Sequence, residues 1–239
     1  MTKISTGSQC FDTFLEGGYD EDIITTVYGP SGVGKTNMCL LCAISVVQQG
    51  KKVIFIDTEG GIAVERIKQL AVEYEQVLEN ILFCNPATFE EQKEIFERVK
   101  EMVNEAGSEG VQSMEKEGSK EEYGLIIVDS ISMLYRLELG KNEEVYDVNT
   151  ALGRQIAYLV EIARKKKIPV LITNQVYEDF DNRDKVKMVG GDLLKYGSKC
   201  LIELMKFANC RGAVLRKHRS LPEGRELKFM IVEKGIEIV

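Results

Sequence analysis

The chain has 239 residues, 44% apolar and 29% charged, with a formal net charge of -7. This length and composition fit one globular α/β domain with a sizeable core and exclude a disordered or fibrous chain. No apolar run approaches the roughly 20 residues that cross a bilayer, and the opening MTKISTGSQC lacks a secretory apolar segment, so a cytoplasmic protein with no membrane partner is expected.

In chain order, IITTVYG (23–29) is β-rich and runs into the turn PSGVGKT. TNMCLLCAISVV (36–47) is apolar or small at nearly every position, as a helix clamped against a sheet must be, and Gly50 ends it. KKVIFIDTE (51–59) predicts a strand covered on both faces. AVERIKQLAVEYE (63–75) predicts one helix, NILFCNP a third strand, and FEEQKEIFERVKEMVNEA a second amphipathic helix. Residues 104–123 hold six Glu, two Lys and three Gly, with little to bury, and predict a mobile acidic insertion.

GLIIVDS (124–130) and IPVLITNQV (168–176) predict two more buried strands, separated by the long helix of VNTALGRQIAYLVEIARKKK. After a polar stretch at 177–189, CLIELMKFA, GAVLRKHR and ELKFMIVEKGIEIV alternate like antiparallel strands. The expected fold is α/β: a mainly parallel central sheet flanked by helices, extended by C-terminal antiparallel strands, in a single domain spanning 1–239.

Six cysteines are present, and Cys39-x-x-Cys42 has half the spacing of a metal site. It falls in the apolar helix, no second pair exists, and core packing is the expected role.

Gly29, Pro30, Ser31, Gly32, Val33, Gly34, Lys35 and Thr36 spell a complete phosphate-loop pattern between a strand and a helix. Glycines there let backbone N–H groups converge on phosphate oxygens at a helix start. Lys35 neutralises them, and Thr36 offers a hydroxyl to Mg²⁺; ATP and Mg²⁺ are therefore the expected cofactors. Asp129 closes the strand LIIVD, where a carboxylate can hold the metal's water shell. Glu59 follows VIFIDT on the same rim and can orient and deprotonate an attacking water; Asp57, two residues earlier, competes for that role. Asn174 and Gln175 end VLITNQ at the same edge, where an uncharged amide can sense a terminal phosphate.

YGPSGVGKTN, FIDTEGG, VERI, LIIVDS and ITNQV, in this order and at these intervals, resemble the RecA/RadA recombinase superfamily. The lead-in STGSQCFDTFLEGGYDEDIIT is similar to that family's short helix and paired glycines before the first core strand. Only 28 residues precede Gly29, so the N-terminal helical DNA-binding domain of RadA-type members is expected to be absent. With RKHRSLPEG near the end, the likeness is to the core-only RadB branch. The resemblance implies a RecA-like P-loop NTPase core. It implies that Glu59 activates water, Gln175 switches on the γ-phosphate, Arg66 packs over the adenine, and the segment between Val176 and Gly190 faces DNA. It further implies weak ATP hydrolysis, binding of single-stranded DNA or DNA junctions, self-association, and association with the RadA recombinase or the Hjc junction resolvase. The insertion at 104–123 departs from the family pattern.

Residues 180–239 carry 13 Lys or Arg against 8 Asp or Glu, net +5, leaving -12 on residues 1–179. Within that basic quarter, strand alternation in AVLRKHR places Leu215, Lys217 and Arg219 on one face and Arg216 and His218 on the other, absent a bulge. Relatives of the fold reach a neighbouring subunit's γ-phosphate with a Lys-x-Arg pair, a catalytic role that Lys217 and Arg219 fit by spacing. Contact with DNA phosphates and a solvated sheet edge are the other two readings. Three functions remain open at this point: a recombination accessory that binds ATP and DNA, a DNA-stimulated filament-forming ATPase, and a nucleotide-gated protein adaptor.

Overall fold

The computed structural model describes residues 2–106, 122–141, 145–178 and 186–239. Most of the acidic insertion and the tip of the segment after Val176 lie outside these residues. A nine-stranded sheet runs in the order β13-β12-β11-β10-β3-β7-β6-β4-β5. Here β3 is Ile24–Tyr28, β4 Lys52–Asp57, β5 Ile81–Cys84, β6 Tyr123–Asp129, β7 Val170–Asn174, β10 Cys200–Lys206, β11 Arg211–His218, β12 Glu226–Val232 and β13 Gly235–Ile238. The strands from β5 to β10 are mutually parallel, and β11, β12 and β13 add antiparallel hairpins.

Period-two side-chain alternation sorts consecutive apolar residues into two cores. Val53, Phe55, Leu125, Ile127 and Leu171 enter the layer formed by α1 (Gln9–Phe14), α2 (Lys35–Gln48), α3 (Val64–Leu70) and α4 (Tyr74–Glu79). Ile54, Ile56, Ile126, Val128 and Ile172 face α5 (Phe89–Ala106), α6 (Met133–Leu139), α7 (Val145–Lys166) and α8 (Gly191–Gly197). Cys39 and Cys42 are buried in the first core as free thiols, and no cluster of metal-ligating side chains occurs among the described residues.

The expected helix over 63–75 is two helices, because Ala71 is extended at φ -135° and ψ 129°. The break lets Ile67 and Ala71 bury before α4 starts, and Val77 bury after it, while Val72 is fully exposed. The short helices α6 and α8 were not expected. Each spans 7 residues, too short for a periodic signal, yet each buries a leucine, Leu134 and Leu194. The lead-in forms a two-stranded ribbon, β1 (Lys3–Ile4) with β2 (Tyr19–Asp20), around α1. Phe11 of α1 meets Phe229 of β12 edge-to-face with ring centroids 5.2 Å apart, tying the start of the chain to the C-terminal hairpin. Val176–Glu178 pairs with Val186–Met188 as the hairpin β8–β9.

Candidate nucleotide site

A parallel sheet carries the residues after each strand to one rim, and β3, β4, β6 and β7 lie adjacent enough for their C-terminal ends to converge. The phosphate loop leaves β3 at Gly29, whose φ is 151°; a Cβ there would lie 2.3 Å from the Leu204 carbonyl oxygen of β10, so only glycine fits. Gly32 and Gly34 take φ values of 75° and 106° and curl the loop into α2. Residues 31 and 32 form a hydrogen-bonded turn, and the chain enters α2 at Lys35.

Lys35 is only 8% exposed and donates from Nζ to the carbonyls of Gly29 (3.0 Å) and Pro30 (2.9 Å). Burial pulls its ammonium below the usual lysine range, against the opposing pull of Glu59 and Asp129. Thr36 Oγ1 donates to Asp129 Oδ2 at 2.6 Å, and Thr173 of β7 donates to Asp129 Oδ1. Burial raises the Asp129 carboxyl above its ordinary range; the two threonine hydrogen bonds lower it, and Glu59 and Asp57 add to the rise. A buried carboxylate raised in this way is stabilised by a cation placed against it. A glycine-rich loop at a helix start, a buried ammonium, and a hydroxyl beside a carboxylate are groups of the kind that suit phosphates and a divalent cation.

The structure separates Asp57 from Glu59. Asp57 is 2% exposed and accepts the N–H groups of Glu59 (3.0 Å), Gly60 (2.9 Å), Gly61 (3.4 Å) and Ile62 (3.4 Å). Those bonds occupy its carboxylate in shaping the loop, and Glu59 is the carboxylate left at the rim. Gln175 Nε2 donates to Glu59 Oε1 at 2.8 Å, so the two polar residues after β4 and β7 meet. Asn174 points the other way: it is fully buried and donates to the Val189 carbonyl at 2.9 Å, closing the base of the β8–β9 segment.

Arg66 is near this site but occupied by protein. Nε donates to Asn37 Oδ1 (2.7 Å), NH1 to Gln69 Oε1 and the Glu233 carbonyl (both 2.8 Å), and NH2 to the Val232 carbonyl (2.9 Å). It fastens the β12–β13 turn to α2 and α3.

Lys217 and Arg219 lie at the opposite end of the sheet, where β3 begins. A bulge at Arg216 breaks the expected alternation, since Leu201 pairs with Lys217 but Ile202 with Leu215. Leu215 enters the first core, whereas Lys217 crosses to α8 and donates to the carbonyls of Lys195 (2.6 Å) and Ser198 (2.8 Å). Arg219 pairs with Asp20 (3.0 Å) and Asp22 (2.6 Å). Within this chain both side chains are committed to their own fold, and neither approaches Lys35.

Thr173 and Arg211 escaped the sequence reading. Thr173 stands inside an apolar strand, and only the neighbour relation of β6 and β7 brings it to Asp129. Arg211 opens β11 and reaches the Gly32 carbonyl with Nε and NH2, both at 3.4 Å.

The Rad51 family model matches residues 1–239. The chain is 42% identical over 230 residues to the "DNA repair and recombination protein RadB" of Methanococcus maripaludis strain C7, covering 95% of this chain and 97% of that one. It is 42% identical over 228 residues to the protein of that name from Methanocaldococcus jannaschii, with 94% and 97% covered. A solved structure described as "Crystal structure of the RadB recombinase" superimposes with a TM-score of 0.77 at 34% identity, covering 99% of both chains. With the rim geometry and these matches together, the chain belongs to the Rad51 family and, within it, to the RadB proteins of the RecA/RadA superfamily.

Proposed function

We propose that this protein is an ATP- and Mg²⁺-binding accessory of DNA repair and homologous recombination that contacts single-stranded DNA or DNA junctions and hydrolyses ATP slowly. The relatives' shared name supports the process, and the meeting of Lys35, Thr36, Glu59, Asp129 and Gln175 at one rim is the observation that carries the nucleotide chemistry. The loop N–H groups between Ser31 and Thr36, with the Lys35 ammonium, hold the phosphates, and Thr36 and Asp129 hold the metal. Bound Mg²⁺ supplies charge neutralisation at the phosphate oxygens. Glu59 takes the proton of the attacking water, and Gln175 orients that water or a terminal phosphate oxygen. Because Gln175 leads directly into β8, a change in its bond to Glu59 reaches the segment proposed to face DNA. RadA and Hjc are the proposed protein partners.

A fluorescence titration with labelled single-stranded and branched DNA, with and without MgATP, tests this reading. Saturable binding that shifts with MgATP is expected. Absence of DNA binding in both states favours the protein-adaptor reading, and strong DNA stimulation of turnover favours the filament-forming ATPase.

A further inference from the structure

Three successive strands, the last parallel strand and the two antiparallel ones beyond it, brace the phosphate loop. The Leu204 carbonyl of β10 abuts Gly29, and Ile231 of β12 abuts Gly34, where a Cβ would come within 2.5 Å of its Cδ1. Between them Arg211 of β11 places its guanidinium against the Gly32 carbonyl. Arg211 has no ion-pair partner among the described residues, and its guanidinium donates to this carbonyl.

The peptide unit is planar and trans, so its C=O and N–H point in opposite directions. A cation holding the Gly32 oxygen on the outer side therefore turns the Val33 N–H toward the inside of the loop. The positive charge also polarises that peptide and strengthens its N–H as a donor to an anion. Glycine at 32, with φ 75°, imposes little preference of its own between this orientation and the flipped one. The hydrogen-bonded turn over residues 31 and 32 favours one orientation, and the Arg211 guanidinium on the Gly32 oxygen reinforces it.

We propose that Arg211 is a positioning residue for polyphosphate: through the Gly32 carbonyl it fixes the Gly32–Val33 peptide in the phosphate-binding orientation. The proposal rests on the nucleotide-binding reading above. It gives the C-terminal hairpin a part in the nucleotide site, acting within the same chain and distinct from Lys217 and Arg219.

Calorimetric titrations of the full chain with MgATP and with magnesium pyrophosphate, which lacks the nucleoside, test it. Arg211→Met weakens both ligands by a similar factor, about tenfold, the size of one charge-assisted hydrogen bond. Arg211→Lys restores most of that loss. Lys206→Met, which removes the neighbouring cation paired with Arg211 across β10 and β11, changes affinity less than about twofold by the weak effect of an exposed charge. Melting of the ligand-free Arg211→Met protein stays close to wild type, which separates loop positioning from general damage. If wild type binds and Arg211→Met binds equally well, or loses no more than Lys206→Met, the proposal is wrong. If wild type binds neither ligand, the nucleotide reading itself fails and takes this one with it.

Discussion

Asp57 and Glu59 differ by two positions and one methylene, yet the fold gives them separate work. Asp57 faces inward to four backbone N–H groups, and Glu59 sits at the rim against Gln175. Glu59→Gln is therefore expected to keep MgATP affinity within a few-fold while lowering turnover by about 10²-fold or more, measured as phosphate release. Asp57→Ala is expected to damage the loop itself, costing about 1.5–3 kcal/mol in denaturant melts by loss of a charged acceptor. His218 offers a third test. Its side chain is 2% exposed and Nδ1 accepts the N–H groups of Ser220 and Leu221, at 3.2 and 3.1 Å. Burial holds its pKa below the ordinary histidine value; Asp20 opposes this, and Lys3, Arg219 and Arg225 reinforce it. The unfolded chain then binds the proton more readily, so the stabilisation is present above about pH 6.5 and is lost as pH falls through the folded value. Thermal melts from pH 7.5 to 5 are expected to show a smaller decline for His218→Gln than for wild type, and identical declines contradict this role.

At the scale of elements, the parallel strands and the two long helices were legible because burial on both faces leaves long apolar runs. The split between α3 and α4, the helices α6 and α8, and the Arg216 bulge were not, since each depends on a few residues answering to distant packing. The lead-in shows the same dependence on tertiary contact. Gly7 has φ 76°, and a Cβ there would lie 2.1 Å from the Leu41 carbonyl oxygen of α2. Gly7→Ala is expected to destabilise the fold by about 2–4 kcal/mol, lowering the melting midpoint by several degrees. Below that midpoint nucleotide affinity should be retained, because Gly7 lies outside the site.

For the whole molecule, the residues of the phosphate loop were readable as a motif, and Glu59, Asp129 and Gln175 as strand-end polar residues. Their convergence required the order β3-β7-β6-β4, which no local pattern encodes. The basic C-terminal quarter was readable as charge, but its partners were not: Arg219 meets Asp20 and Asp22, and Arg216 meets Glu203, across the fold. Arg219, and Arg225 with Glu16, are thereby answered by acidic residues at the start of the chain, whereas Arg216 and Glu203 pair within the basic quarter itself. The central claim is that one triphosphate and its Mg²⁺ are held where Lys35, Thr36 and Asp129 meet. The most direct measurement is calorimetric titration of MgATP into wild type and Lys35→Ala, repeated with excess chelator. Saturation at one nucleotide per chain is predicted for wild type, with binding abolished or strongly weakened by the substitution and weakened by chelation. Well-folded wild type that gives no saturable heat, or Lys35→Ala that binds as wild type does, would contradict it.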